Sequence, residues 1–198
     1  MTGGLPKVYV VRHGETEWSL SGRHTGRNDI PLTARGEEQA RQVGDRLRGL
    51  SFAAVFASPL RRAMTTCERA GFGGAAKADP DLMEWNYGEY EGLKLADIRA
   101  KRPGWLVFRD GCPGGETPGQ VGDRADRVVA RLRSVGGDAL VFAHGHLLRV
   151  LTVRWLGLPV VEGLHLQIAA GSLGILSYEH ALDEPAIALW NEVSHLRP

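Results

Sequence analysis

Three short apolar runs each end in groups suited to holding an anion. Lys7-Val8-Tyr9-Val10-Val11 is followed by Arg12-His13-Gly14-Glu15, and Phe52-Ala53-Ala54-Val55-Phe56-Ala57 by Ser58-Pro59-Leu60-Arg61-Arg62. Ala139-Leu140-Val141-Phe142-Ala143 is followed by His144-Gly145-His146. A guanidinium presents a planar fork of donors matched to phosphate oxygens. A neutral imidazole held by a backbone partner is a nucleophile toward phosphorus. The alcohol leaving phosphorus needs a proton, which a carboxylic acid supplies. Glu84, in Leu82-Met83-Glu84-Trp85-Asn86-Tyr87-Gly88, stands among bulky aromatics. Desolvation by those rings is expected to raise its pKa and suit it to that task.

These groups are far apart in the chain, so the elements beneath them must bring them together. Uninterrupted apolar runs bounded by turn residues suit strands buried on both faces. Helical patterns separate them. Leu32-Thr33-Ala34-Arg35 leads into an amphipathic stretch through Leu50, with Ala40, Val43, Leu47 and Leu50 on one face. Ser58 as N-cap with Pro59 at N1 predicts a second helix, whose amides would add donors for a phosphate. Thr117 as N-cap, Pro118 in the first turn and Gln120 completing a capping box predict a third, running to about Ser134. Strand–helix alternation over the whole chain predicts one α/β domain, residues 1–198, with a mostly parallel sheet between two helical layers. Gly174–Tyr178 and Ala186–Trp190 predict two more strands, a hairpin at a sheet edge. In such sheets ligands bind beyond the carboxyl ends of the strands, where Arg12, His13, Arg62 and His144 would meet.

Composition narrows the partners. The chain has 198 residues with 24 Lys and Arg against 23 Asp and Glu, a net charge of +1. No overall field draws it to nucleic acid or to an anionic membrane. No apolar run approaches the ~18 residues of a membrane span. The N-terminus lacks the basic start and apolar stretch of a signal peptide, so the expected location is cytoplasmic. Two cysteines, Cys67 and Cys112, make no disulfide framework. His144-Gly145-His146 also has the look of half a zinc site, but no acidic or Cys partner with ligand spacing lies nearby. Cys112 has no evident partner base and reads as a plain thiol. His24, His165, His180 and His195 read as scattered surface or core histidines. The five tryptophans read as core or pocket wall.

Arg12-His13-Gly14-Glu15-Thr16 resembles the signature pentapeptide of the histidine phosphatase superfamily, the phosphoglycerate-mutase-like proteins. Ser58-x-Leu60-x-Arg62-Ala63-x-x-Thr66, Glu84-x-x-x-Gly88-x-x-Glu91-Gly92-Leu93, Gly115-Glu116-Thr117 and His144-Gly145 follow in that family's order. The resemblance implies a phosphoglycerate-mutase-like fold and no required metal or other cofactor. It makes His13 the phosphorylated nucleophile, Arg12, Arg62 and His144 its phosphate partners, and Glu84 the proton donor to the leaving group. It sets the backbone amide near Gly145 at the phosphate end and makes His146 a further substrate-binding candidate. Arg23, His24, Thr25, Trp85 and Tyr87 would lie toward the organic part of a small phosphorylated substrate, and Gly26 is a further substrate-binding candidate. Ser19 stands where many members carry an Asn that helps bind phosphate, so its reach is shorter.

The short stretch from Lys101 to Gly115 and the short tail after Trp190 differ from the longer mutases, whose intermediate must be kept from water. A shorter, open site favours hydrolysis. Trp18-Ser19-x-Ser21-Gly22-x-x-Thr25-Gly26, Glu84 to Gly92 and the C-terminal Leu176 to Ala186 segment resemble sedoheptulose-1,7-bisphosphatases. The chain also resembles short bacterial acid phosphatases. The expected function is metal-independent hydrolysis of small phosphorylated metabolites, with mutase and non-catalytic phosphate-binding module as alternatives. A bisphosphatase needs a second cationic patch, for which Arg23, Lys94, Arg109 and Arg149 are candidates. A homodimer is an open expectation.

Overall fold

The computed structural model describes residues 4–197. In chain order the elements are β1 (Val8–Arg12), α1 (Glu17–Ser21), α2 (Ala34–Arg46), β2 (Ala54–Ala57), α3 (Arg61–Arg69), β3 (Ala76–Ala78), α4 (Leu95–Lys101), α5 (Val107–Asp110), α6 (Pro118–Arg133), β4 (Ala139–Ala143), α7 (Gly145–Trp155), β5 (Leu173–Tyr178) and β6 (Pro185–Glu192). They form one six-stranded sheet in the order β3-β2-β4-β1-β5-β6. The first four of these pair in parallel, while β5 runs antiparallel to β1 and β6 antiparallel to β5. The expected mixed α/β fold with a mostly parallel sheet is what forms.

Strand alternation explains the layers. Val8 and Val10 of β1, with Ala139, Val141 and Ala143 of β4, face a cluster containing Val121, Val128 and Leu132 of α6 and Leu147, Leu148 and Leu151 of α7. Tyr9, Val11, Leu140 and Phe142 face the opposite cluster, with Val43 of α2 and Cys67 of α3. Both faces are covered, so the strands are apolar throughout rather than alternating. Each large apolar side chain buried there contributes about 1.5–3 kcal/mol. Phe142 is fully buried in the second cluster. Truncating such a Phe to Ala costs roughly 3–5 kcal/mol. No helix of the described residues is long and apolar enough to cross a membrane.

Thr33 caps α2 by accepting from the Gly36 amide, and Thr117 and Gln120 form the expected capping box on α6. Two boundaries differ from expectation. The turn after Leu47 reaches Gly49 with φ +83°, which carries Leu50 off the apolar face and leaves it exposed. The helix after β2 begins at Arg61, with Leu60 rather than Ser58 at the N-cap and no side-chain cap. Ser58 is committed elsewhere, to an imidazole in the site.

Candidate active site

β1 delivers Arg12 and His13 to the carboxyl edge of the sheet, flanked by β4 with His144 and, one strand further, by the turn after β2 with Ser58 and Arg62. The His13 amide donates to Ala143 O at 3.0 Å, locking the nucleophile loop to the end of β4. Gly14 is required by close approach. A Cβ there would meet Gly36 O at 2.3 Å, so a side chain would drive α2 off the loop.

His13 Nδ1 lies 2.7 Å from Gly14 O. A carbonyl only accepts, so Nδ1 carries the proton and Nε2 keeps its lone pair. Burial, then the positive charges of Arg62 and Arg12, hold this imidazole well below its ordinary pKa, against the opposing Gly14 bond. The ring is therefore neutral at physiological pH and competent to attack.

Arg12 donates through Nη1 to Ile168 O at 2.6 Å. Its Nε is the one buried side-chain N or O atom among the described residues that has no partner. A buried donor left unpaired costs about 1–3 kcal/mol, which an acceptor oxygen of a ligand would recover. Gly145 lies against this guanidinium; a Cβ there would be 3.4 Å from Arg12 Nε. Arg62 is fully buried and donates to Asn28 O at 2.8 Å, Gly26 O at 2.7 Å and His144 Nδ1 at 3.1 Å. Three of its five N–H groups are so committed and two remain.

His144 departs from its expected place. It accepts from Arg62 at Nδ1 and donates from Nε2 to Ser58 Oγ at 2.7 Å, with zero exposure and no share of the cavity wall. Burial and then Arg62 hold its pKa well below the ordinary value. Both ring nitrogens are used, so this neutral ring positions Arg62 from behind instead of facing the pocket. It is no half of a metal pair either, since the His146 ring turns to Tyr87.

Glu84 is nearly buried and accepts three backbone amides. Oε1 takes Trp85 N and Leu147 N, each at 2.9 Å, and Oε2 takes His146 N at 3.1 Å. Two of these amides belong to the first turn of α7, so the carboxylate closes that helix end. Arg124 fixes the backbone beneath it. Its guanidinium donates to Met83 O at 2.6 Å, Asp81 O at 2.8 Å and Glu84 O at 3.2 Å, and forms a two-pronged bond to Glu116 at 2.8 and 3.0 Å. Arg124 was not among the expected site residues. Its signal is a lone charge on the apolar face of α6, between Val121 and Val128.

The cavity has a volume of 310 Å³. Arg12, His13, Arg62, Glu84 and Gly145 are on its wall. Ser19, Arg23, His24, Thr25, Tyr87, His146 and Arg149 also line it, Arg149 being a candidate for a second cationic patch. The Ser19 hydroxyl is already held by Thr16, accepting its amide and donating to its carbonyl, both at 2.9 Å. Tyr87 donates to His146 Nδ1, and the His24 ring lies 4.9 Å from the Tyr87 ring. Burial holds the Tyr87 pKa well above its ordinary value and that of His146 well below it, so both are neutral. Arg149 sits over the Phe108 ring at 4.4 Å, and burial lowers its pKa to about 10.

Two expected contacts lie elsewhere. Trp85 has zero exposure, donates to Glu116 O at 2.9 Å and packs on Phe108 in the core, so it is not on the cavity wall. Gly26 acts through its carbonyl on Arg62 and is not on the wall. Of the other basic candidates, Arg109 is exposed and paired with Asp110, and Lys94 is not on the wall. Cys112 is in the core, where burial pushes its thiol up to about 12.

The sequence profile described as histidine phosphatase superfamily (branch 1) matches residues 8–193. The chain is 40% identical over 185 residues to an acid phosphatase of Mycobacterium tuberculosis, covering 91% of each. It is 33% identical to sedoheptulose 1,7-bisphosphatase of Saccharomyces cerevisiae, covering 93% of this chain and 92% of that one. A solved structure of an open reading frame product of Mycobacterium tuberculosis superposes with a TM-score of 0.89 at 39% identity, covering 94% of this chain and 97% of the other. The chain belongs to the histidine phosphatase superfamily, branch 1. Within that class it is an enzyme, a phosphoric monoester hydrolase.

Proposed function

We propose that the protein hydrolyses small phosphorylated metabolites, sugar phosphates and bisphosphates among them, through a phosphohistidine on His13 and without a metal. The observation that carries this reading is the neutral His13, its Nδ1 proton fixed on Gly14 O and its ring set between two arginines. His13 Nε2 attacks phosphorus in line with the ester oxygen. Arg12, through its unpaired Nε, the two free N–H groups of Arg62 and the Gly145 amide hold the equatorial oxygens, with donors oriented before charge develops. Glu84 in its acid form gives its proton to the leaving oxygen. The resulting carboxylate takes a proton from water, the water oxygen attacks the phosphohistidine, and the P–N bond breaks to free phosphate. The names of the relatives support a phosphatase, and Arg23 and Arg149 on the cavity wall suit a substrate with a second anionic group.

The test is phosphate release in EDTA from nitrophenyl phosphate, 3-phosphoglycerate, sugar bisphosphates and a nucleotide, with wild type and His13→Ala side by side. Release that needs His13 and survives EDTA supports the reading. Conversion of 3- to 2-phosphoglycerate without net release would overturn it in favour of a mutase.

A further inference from the structure

The loop from Gln167 to Ser172, between α7 and β5, carries the nucleophile on one side. Ile168 O accepts from Arg12 Nη1 at 2.6 Å, the Gly171 amide donates to His13 O at 3.1 Å, and Ser172 O accepts from the Arg12 amide at 3.2 Å. On its other side the same loop is held by the end of the chain. Trp190 Nε1 donates to Gln167 O at 2.6 Å, Asn191 Oδ1 accepts from the Ala169 amide at 2.7 Å, and His195 Nε2 donates to Gly171 O at 3.0 Å.

The backbone is bent to make these contacts. β6 pairs Glu192 with Leu173 but Leu189 with Ile175, so one extra residue bulges out between them. Among the described residues Asn191, at φ +54°, is the one non-glycine residue of positive φ. A bulge turns side chains off the sheet, and here it aims Trp190 and Asn191 at the loop. His195 is anchored in turn by Glu192 at 3.1 Å, and its side chain is almost fully buried. The packing is tight, since a Cβ on Gly171 would lie 3.1 Å from Gln39 and 3.5 Å from Leu196.

We propose that Trp190, Asn191 and His195 form a clasp that positions Arg12 and His13 for phosphoryl transfer, acting through the 167–172 loop. They are positioning residues and touch no substrate. The inference rests on His13 and Arg12 being the phosphate-handling pair. Small displacements at a reacting centre carry large rate penalties, on the order of 100-fold for 1 Å. Release of one contact of three should therefore lower kcat about tenfold, a fraction of that limit. Because Arg12 itself loosens, affinity for anions should fall with it.

The experiment compares Asn191→Gly, which accommodates the positive φ and removes the acceptor, with Asn191→Asp, which retains an oxygen there. His195→Phe keeps ring volume and removes both bonds. For each, kcat and KM with nitrophenyl phosphate and the inhibition constant of vanadate are measured. The clasp requires kcat about tenfold down and the vanadate constant at least threefold up in Asn191→Gly and His195→Phe, with Asn191→Asp restoring both. A lower kcat with an unchanged vanadate constant would mean a smaller folded fraction and would overturn the proposal, as would unchanged constants throughout. Wild type that releases no phosphate, with His13→Ala identical to it, would instead sink the phosphatase reading. Vanadate binding by calorimetry would still report on the clasp, since it needs no turnover.

Discussion

Replacing Arg124 with Met removes the charge from beneath Glu84 while keeping most of the side-chain volume. The guanidinium makes two bonds to Glu116 and one each to the carbonyls of Asp81, Met83 and Glu84. Side-chain exposure is 5% for Arg124 and 14% for Glu116, so water replaces little of what is lost. Breaking such a buried pair from one side costs about 3–5 kcal/mol. Glu116 keeps the Asn86 amide at 2.8 Å and a distant Arg27 at 3.7 Å, which places the loss at the lower end, about 3 kcal/mol. For a domain of this size that is a fall in melting temperature of about 6–12 °C. Adding Glu116→Gln removes the stranded carboxylate, and the double variant should recover about 1–2 kcal/mol relative to additivity. Urea unfolding of the four proteins measures these terms, and kcat measured well below the transition reports the drift of Glu84. Arg124→Met within 1 kcal/mol of wild type, with kcat intact, would refute the view that this network holds the acid in place.

Glu84→Gln should slow sugar-phosphate hydrolysis far more than nitrophenyl phosphate hydrolysis in single-turnover assays, and equal slowing of both would remove Glu84 as the acid. His13, His144 and His146 are all held well below the ordinary imidazole value, chiefly by burial. Below about pH 6.5 the unfolded chain takes up protons that the folded one refuses, so stability falls with pH by up to about 4 kcal/mol per unit from these three rings. Urea midpoints unchanged between pH 7 and 5 would contradict that. For the same reason the acid limb of kcat/KM should lie well below 6.5 where His13 controls it, and a limb at 6.5 that follows His13 would show a solvated ring. Arg149→Met should raise KM for a sugar bisphosphate at least tenfold and leave KM for nitrophenyl phosphate within twofold; parallel changes would remove Arg149 from substrate contact.

Much of the inner site was readable because buried parallel strands write themselves as apolar runs, and whatever follows each run must stand at one sheet edge. Arg12, His13 and Arg62 are legible that way. For His144 the same pattern gives the right edge but not the neighbour, because sequence gives the position of a ring and not which partner takes its nitrogens. Trp85 and Tyr87 are two residues apart in one loop, yet one is core and the other wall; in irregular backbone no period assigns a face. β3 reads Ala-Lys-Ala, too short and too weakly apolar to announce a strand. The bulge at Asn191 lies inside an otherwise plain strand pattern, and only the pairing with β5 reveals it.

The central place of β1 has a consequence for how the molecule comes into being. β1, which leads directly into the nucleophile His13, is synthesised before either of the strands that flank it. Its neighbours are β4 and β5, with Val8 paired to Ala139 on one side and to Leu176 on the other. Closing contacts of such sequence separation is slow, and a nascent domain must wait for both before its middle exists. A chain halted on the ribosome before residue 173 would hold both catalytic arginines and both catalytic-edge histidines and still have no second wall for β1. Activity should thus appear abruptly, and only once β5 has emerged, and until then the exposed flanks of β1 are the segment most in need of a chaperone.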